Sequence, residues 1–274
     1  MFLDRLFDQF PSAKNSVEGV WLIANARLWI SETLLIKWLN CLHESPWEGG
    51  PQAYGELLCL HHLLNPEKKW SQEQIKEVLN IDDHRKDSKK IKLGLFFTAA
   101  KMWDHRESRL AATEILINLL KDPDEAMMIA CSDLFRVSKP FFPDRPTWQL
   151  LDVLCDHPPL IGEGSTGILI EHLEQLVTTD PEKVFNLCLA MLNRLKNKIS
   201  STQHVYFGNI EGITNISLTL QRFGSQNRTR GLELFEQLLE MDIYDAKRVL
   251  LEIDRRPLNH SISQPIRRRK RLRR

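Results

Sequence analysis

The sequence predicts an all-α protein whose helices pack as antiparallel pairs stacked into a solenoid. Three observations lead to this prediction: apolar residues recur at helical spacing, helix-opening turns recur at even intervals, and strand-like alternation is nearly absent. The best strand candidate, residues 204–207, is a short stretch next to serine and glycine residues, and we expect it to be a loop.

Three segments carry helical periodicity. Apolar residues at i, i+3, i+4, i+7 and i+8 form one face of a helix, and we expect that face to be buried against neighbouring helices. The three sets are Ala112, Ile115, Leu116, Leu119 and Leu120; Val184, Leu187, Cys188, Met191, Leu192 and Leu195; and, in a shorter form, Ala246, Val249, Leu250 and Ile253.

Helix starts are predicted where an N-cap residue precedes proline. Asn65-Pro66, Asp122-Pro123 and Asp180-Pro181 each place a side-chain acceptor before a proline, whose missing N–H is no loss at the first helical position. Ser71 with Gln74 indicates a further capping box. The three dipeptides lie 57 and 58 residues apart, each after an apolar helix end, which is typical of a repeat array.

The segment 119–136, LLKDPDEAMMIACSDLFR, resembles the turn and second helix of HEAT and armadillo repeats. In that family a leucine-rich helix ends at an Asp-Pro turn, and the next helix carries small residues with a later Asp and Arg, matched here by Ala126, Ala130, Asp133 and Arg136. The spacing of 57 to 58 residues exceeds the family's usual roughly 40 to 47, so extra helices or long turns must intervene. The resemblance implies a HEAT-like solenoid with a role in scaffolding or macromolecular binding.

Composition and chain breakers predict three parts. The apolar share of 42% and the charged share of 27% are typical of a globular protein, so most of the chain should fold. Breakers at 45–51 separate an N-terminal helical block, residues 1–44, from a helical repeat region, residues 52–256. Residues 82–90 are predicted to be a charged loop, and 257–274 a flexible, disordered basic tail.

Cysteine usage and the N-terminus predict an intracellular protein. The five cysteines are an odd number, mostly within apolar stretches, as is typical of reduced thiols. The first residues lack the basic start of a secretory signal. The most apolar window, residues 20–42, contains charged residues, so we expect a buried helix and no membrane contact. The expected location is the cytoplasm, or the nucleus in a eukaryote.

A glycine-rich motif at residues 162–167 matches the GxGxxG pattern of dinucleotide-binding loops. That pattern requires a preceding strand, but Pro158 and Pro159 precede it here. Ile168 and Leu169 stand where a phosphate loop requires Lys and Ser/Thr. We therefore expect a capped turn and no cofactor.

Two pairs of Cys and His residues do not indicate a metal site or a catalytic site. Cys59 and His61 are two residues apart, so in a helix they point to opposite sides, and we expect no metal site. Cys155 and His157 have no third group to orient them as nucleophile and base. We expect no catalytic residue and do not expect an enzyme.

The basic tail is the segment whose composition most requires an explanation. Because guanidinium groups on a flexible chain bind phosphates by releasing counterions, nucleic acid is the leading interpretation. A targeting signal or an acidic protein partner, and a solvated terminus without a role, stay open. Without these seven groups the chain has a net charge of −6 rather than +1, so its body is not a general polyanion binder. The seven are Arg267, Arg268, Arg269, Lys270, Arg271, Arg273 and Arg274.

Together these features predict a non-catalytic macromolecular-binding scaffold or adaptor. A helical-repeat surface would dock a protein partner, and the tail would add attraction for phosphate-rich or acidic partners. Trp47 and Trp70 lie beside turn residues and are expected to contact a partner, whereas Trp103 is expected in the core. Two alternatives stay open: the helical-repeat sensor region of a larger ATP-dependent signalling or defence assembly, and a HEAT-like nucleic-acid-processing enzyme.

Overall fold

The predicted all-α fold is confirmed in the part of the chain that the computed structural model describes. That part comprises residues 49–80, 87–123, 127, 143–163, 166–201 and 210–254, with positions 33 and 36. It contains ten α-helices and no β-strand. The helices are Gly50–Leu64 (α1), Lys69–Leu79 (α2), Ser88–Met102 (α3), Arg109–Leu119 (α4), Arg145–Asp156 (α5), Thr166–Leu176 (α6), Pro181–Ser201 (α7), Glu211–Leu220 (α8), Ser225–Glu240 (α9) and Tyr244–Asp254 (α10).

The contact between α1 and α3 dominates the packing of the first five helices. Helix α1 makes its largest contact with α3, and α2 packs against both of them. Helix α3 also packs on α4, and α4 packs on α5. Helix α4 therefore connects the first three helices to the rest of the described structure.

From α5 onward, contacts link alternate helices. Helices α5, α7 and α9 pack one on the next, and so do α6, α8 and α10. Contacts of α6 with α7, of α8 with α9 and of α9 with α10 join the two sets. Each helix from α7 to α10 thus contacts the helix two positions before it.

The apolar stripes predicted from periodicity form much of the core. Every residue of the sets at 112–120 and 184–195 is buried, as predicted. The third set is only partly correct, because Ala246 is buried but the side chain of Leu250 is 39% exposed. Helix α10 lies at the end of the described packing, where no further described helix covers that side.

One helix cap is confirmed and two are wrong. Helix α7 begins at Pro181, and the Lys183 N–H donates to Asp180 Oδ1 at 3.1 Å. Asn65 instead ends α1, where its N–H donates to the His61 carbonyl oxygen, and α2 begins only at Lys69. Ser71 lies inside α2, and its hydroxyl donates to the Lys68 carbonyl oxygen at 2.9 Å.

Two predicted loops are shorter than expected. Helix α1 begins at Gly50 with Pro51 in its first turn, so the breaker at 45–51 runs into a helix. Helix α3 begins at Ser88, within the predicted charged loop 82–90. Asp122 and Pro123 follow the end of α4 and lie outside any helix, but residues 124–126 and 128–142, where the predicted helix would continue, and residues 204–207 lie outside the described residues.

A buried polar cluster joins α3, α4 and the start of α5. The Arg109 guanidinium lies 3.9 Å above the Trp103 ring, and its Nε and Nη2 donate to Asp144 at 2.8 and 3.3 Å. Nη2 also donates to Thr147 Oγ1 at 2.7 Å. The Trp103 indole N–H donates to Thr113 at 2.8 Å, so this tryptophan is a core residue, as predicted. The Arg109 guanidinium at the start of α4 therefore contacts residues at the end of α3 and at the start of α5.

Asp144 serves both the ion pair and the cap of α5. Its Oδ1 accepts the Thr147 N–H at 3.0 Å, which satisfies a free donor at the helix start. Burial opposes the charged form of this carboxyl group, but the hydrogen bonds from Arg109 and Thr147 outweigh it and lower the pKa of Asp144. The carboxylate is therefore held ionised.

Candidate functional site

Most of the predicted contact residues fall outside the described part of the chain. The basic residues of 267–274 and Trp47 belong to this group. Trp70 is described: it is half-buried in α2 and packs edge-on against His61 of α1, with ring centroids 5.7 Å apart. Part of its ring area therefore serves helix packing, and its contact with a partner stays a prediction.

The glycine-rich motif follows a helix and is closed by its own hydrogen bonds. The Thr166 hydroxyl donates to the carbonyl oxygens of Leu160 and Glu163, at 3.0 and 2.5 Å. Gly162 has a φ of 89°, which favours glycine, and α5 precedes the turn. Lys198 of α7 pairs with Glu163 at 2.7 Å. These contacts are those of a structural turn at the start of α6.

The described thiols are poor nucleophiles. Cys59 and Cys188 are fully buried, and burial raises the pKa of each well above its usual range. Burial, followed by the charges of Asp152 and Asp156, raises the pKa of Cys155 to about 11. Burial also lowers the pKa of His62. No group of three or more His, Cys, Asp or Glu residues within the described ranges is arranged to hold a metal ion.

A small cleft lies between the end of α2, the start of α3 and the end of α4. Its volume is about 190 Å³, below the roughly 300 to 1,000 Å³ of typical ligand pockets. Within it Asn118 accepts a hydrogen bond from Lys121 at 3.0 Å. The lining carries charges of both signs, so it favours no single class of ligand. The lining residues are Leu79, Lys89, Lys92, Asn118, Leu119, Asp122 and Met127.

Exposed apolar side chains concentrate on the last two described helices. Among the described residues, six large apolar side chains are exposed, and four of them belong to α9 and α10. These four are Leu232 at 43%, Tyr244 at 72%, Leu250 at 39% and Leu251 at 54%. Clustered exposed apolar groups mark interaction surfaces more often than scattered ones do.

The side of α9 that carries Leu232 is the side turned away from α7. Arg230 and Glu240 pair with residues of α7 and so mark the side that faces it. Arg228, Leu232, Glu236 and Leu239 follow at i, i+4, i+8 and i+11 and share another side of the helix. Arg228 and Leu232 are exposed there.

Helix α10 carries three exposed residues at helical spacing. Lys247, Leu250 and Leu251 lie at i, i+3 and i+4, and all three are exposed. Arg248 reaches Glu211 of α8 at 3.5 Å, and Leu251 lies at i+3 from Arg248, so this surface borders the side that faces α8. We call the residues of these two surfaces the terminal face: Arg228, Leu232, Glu236, Leu239, Lys247, Leu250 and Leu251.

Sequence reasoning missed the terminal face. The helical spacing of Ala246, Val249 and Leu250 predicts a buried stripe, and periodicity alone does not show where stacking stops. The adjacent pair Leu250 and Leu251 gives no signal either, because adjacent apolar residues such as Leu187 and Cys188 are both buried in α7.

No protein-family model, no curated protein and no solved structure matches this chain. By its fold, the described part of the chain is an all-helical protein. None of its described helices is both long and apolar enough to cross a lipid bilayer.

Proposed function

We propose that this protein is a binding scaffold without catalytic activity, built as a HEAT-like solenoid of stacked helix pairs. The packing of alternate helices is the observation that supports this proposal most strongly. Two rows of helices, each resting on the helix before it, form the architecture in which every repeat contacts only its neighbours. Such rows leave an extended surface on which a large partner can dock.

Ion pairs across the rows support the same arrangement. In the first row, Lys183 of α7 pairs with Asp152 of α5 at 2.5 Å, and Arg230 of α9 pairs with Glu182 of α7 at 3.1 Å. In the second row, Arg248 of α10 meets Glu211 of α8. Exposed pairs like these contribute little stability, roughly 0 to 1 kcal/mol each. Their value to the proposal is geometric, because each pair joins two helices of the same row.

The partner that we propose is a protein, with residues 267–274 adding electrostatic attraction to a phosphate-rich or acidic surface. The seven basic groups of this segment stand against a net charge of −6 on the rest of the chain. Attraction by the segment therefore acts locally and is strongly weakened by salt. The buried free thiols Cys59 and Cys188 are consistent with a cytoplasmic location, which belongs to the proposal.

A purification with two arms tests the scaffold proposal. The tagged full chain is recovered from its source cells with and without nuclease, and the mass of the recovered complex is measured by light scattering. We expect a protein at fixed stoichiometry in both arms. Turnover of a nucleic-acid substrate by the isolated chain, or no stoichiometric partner in either arm, would contradict the proposal.

A salt titration tests the tail separately. The control variant keeps the length of residues 267–274 but replaces the seven basic residues with glutamine. With a labelled DNA duplex as probe, we expect this variant to bind more weakly and the slope of log affinity against log salt to fall by up to about six. Equal slopes for the two chains would rule out a role for the tail in binding phosphates.

A further inference from the structure

We draw no further inference here: the strongest candidate, the exposed leucine patch of the terminal face on α9 and α10, is bordered by charges of both signs, and nothing in the structure shows what covers it.

Discussion

Gly55 of α1 and Gly94 of α3 lie where the two helices approach each other most closely. A Cβ atom added at Gly55 would lie 2.1 Å from the carbonyl oxygen of Ile91, and one at Gly94 would lie 2.1 Å from that of Gln52. Each glycine therefore meets the backbone of the other helix, which cannot rotate away as a side chain would. The contact between α1 and α3 requires the absence of a side chain at both positions.

Gly94→Ala is expected to destabilise the protein. Inserting a methyl group against fixed backbone forces α1 and α3 apart, and we expect the free energy of unfolding to fall by about 3 kcal/mol. Gly224→Ala is the control, because a Cβ atom there would have no neighbour within 4 Å, and it should cost less than about 1 kcal/mol. Urea unfolding followed by circular dichroism measures both. Equal losses for the two variants would mean that α1 and α3 are not in close contact.

Asp144→Asn tests the ion pair with Arg109, in which the guanidinium is buried and the carboxylate is partly exposed. Asparagine keeps an oxygen that can accept the Thr147 N–H, but it leaves the Arg109 guanidinium without its counter-charge. At neutral pH we expect the free energy of unfolding to fall by about 2 kcal/mol, as for hydrogen bonds to charged groups. Asp152→Asn is the control, because its pair with Lys183 is exposed and should matter little.

The same variant predicts a pH dependence with a defined sign. The pKa of Asp144 is lowered in the folded protein, so the ionised carboxylate contributes fully to the free energy of unfolding above the unfolded pKa, near 3.8. This contribution to stability is lost as the pH falls through the lower pKa of the folded protein. The stability difference between the wild type and Asp144→Asn should therefore be constant above about pH 5 and shrink below about pH 4. A difference that grows on acidification would contradict the ion pair.

Asp180→Ala tests the cap of α7. The variant leaves the Lys183 N–H without its side-chain acceptor, and we expect the free energy of unfolding to fall by about 1 kcal/mol. Asp180→Ser supplies another acceptor and should recover most of the loss. Thermal or urea melts of the three proteins give the comparison. A neutral Asp180→Ala variant would place the start of α7 elsewhere.

Cys155 is expected to react slowly with alkylating reagents. With a pKa of about 11, only roughly a thousandth of this thiol is ionised at pH 8, against roughly a quarter for an ordinary cysteine. Alkylation by iodoacetamide, followed by peptide mass spectrometry, should therefore be at least about a hundredfold slower than in the chain unfolded by denaturant. A Cys155 that reacts as fast in the folded protein as in denaturant would show that it is neither buried nor surrounded by carboxylates.

Periodicity predicts the interior of long helices well and their ends less well. The stripe from Val184 to Leu195 is predicted from spacing alone, because one buried face over many turns leaves a clear pattern. Asn65 misleads because asparagine suits both ends of a helix, and Pro66 after it is as common beyond a helix end as at a helix start. Only the three-dimensional structure decides whether Asn65 ends one helix or starts the next.

The polar cluster around Arg109 and the terminal face were harder to predict, since both depend on contacts between residues that are distant in the sequence. Arg109 and Asp144 are 35 residues apart, and no local pattern indicates that they meet. The exposure of Leu250 depends on which helices surround α10, which spacing within α10 does not encode. The chemistry of the terminal face therefore emerges only once the helices are packed.

Spin-label distances between alternate helices test the two-row packing most directly. Labels at Asp152 of α5 and Glu236 of α9, both exposed, are introduced as cysteines after the native cysteines have been replaced by alanine. Because α7 lies between these helices, we predict a backbone separation of two inter-helix spacings, roughly 16 to 20 Å, with the label arms adding to it. A separation of one spacing, roughly 8 to 10 Å, would place α5 directly against α9 and contradict the packing of alternate helices.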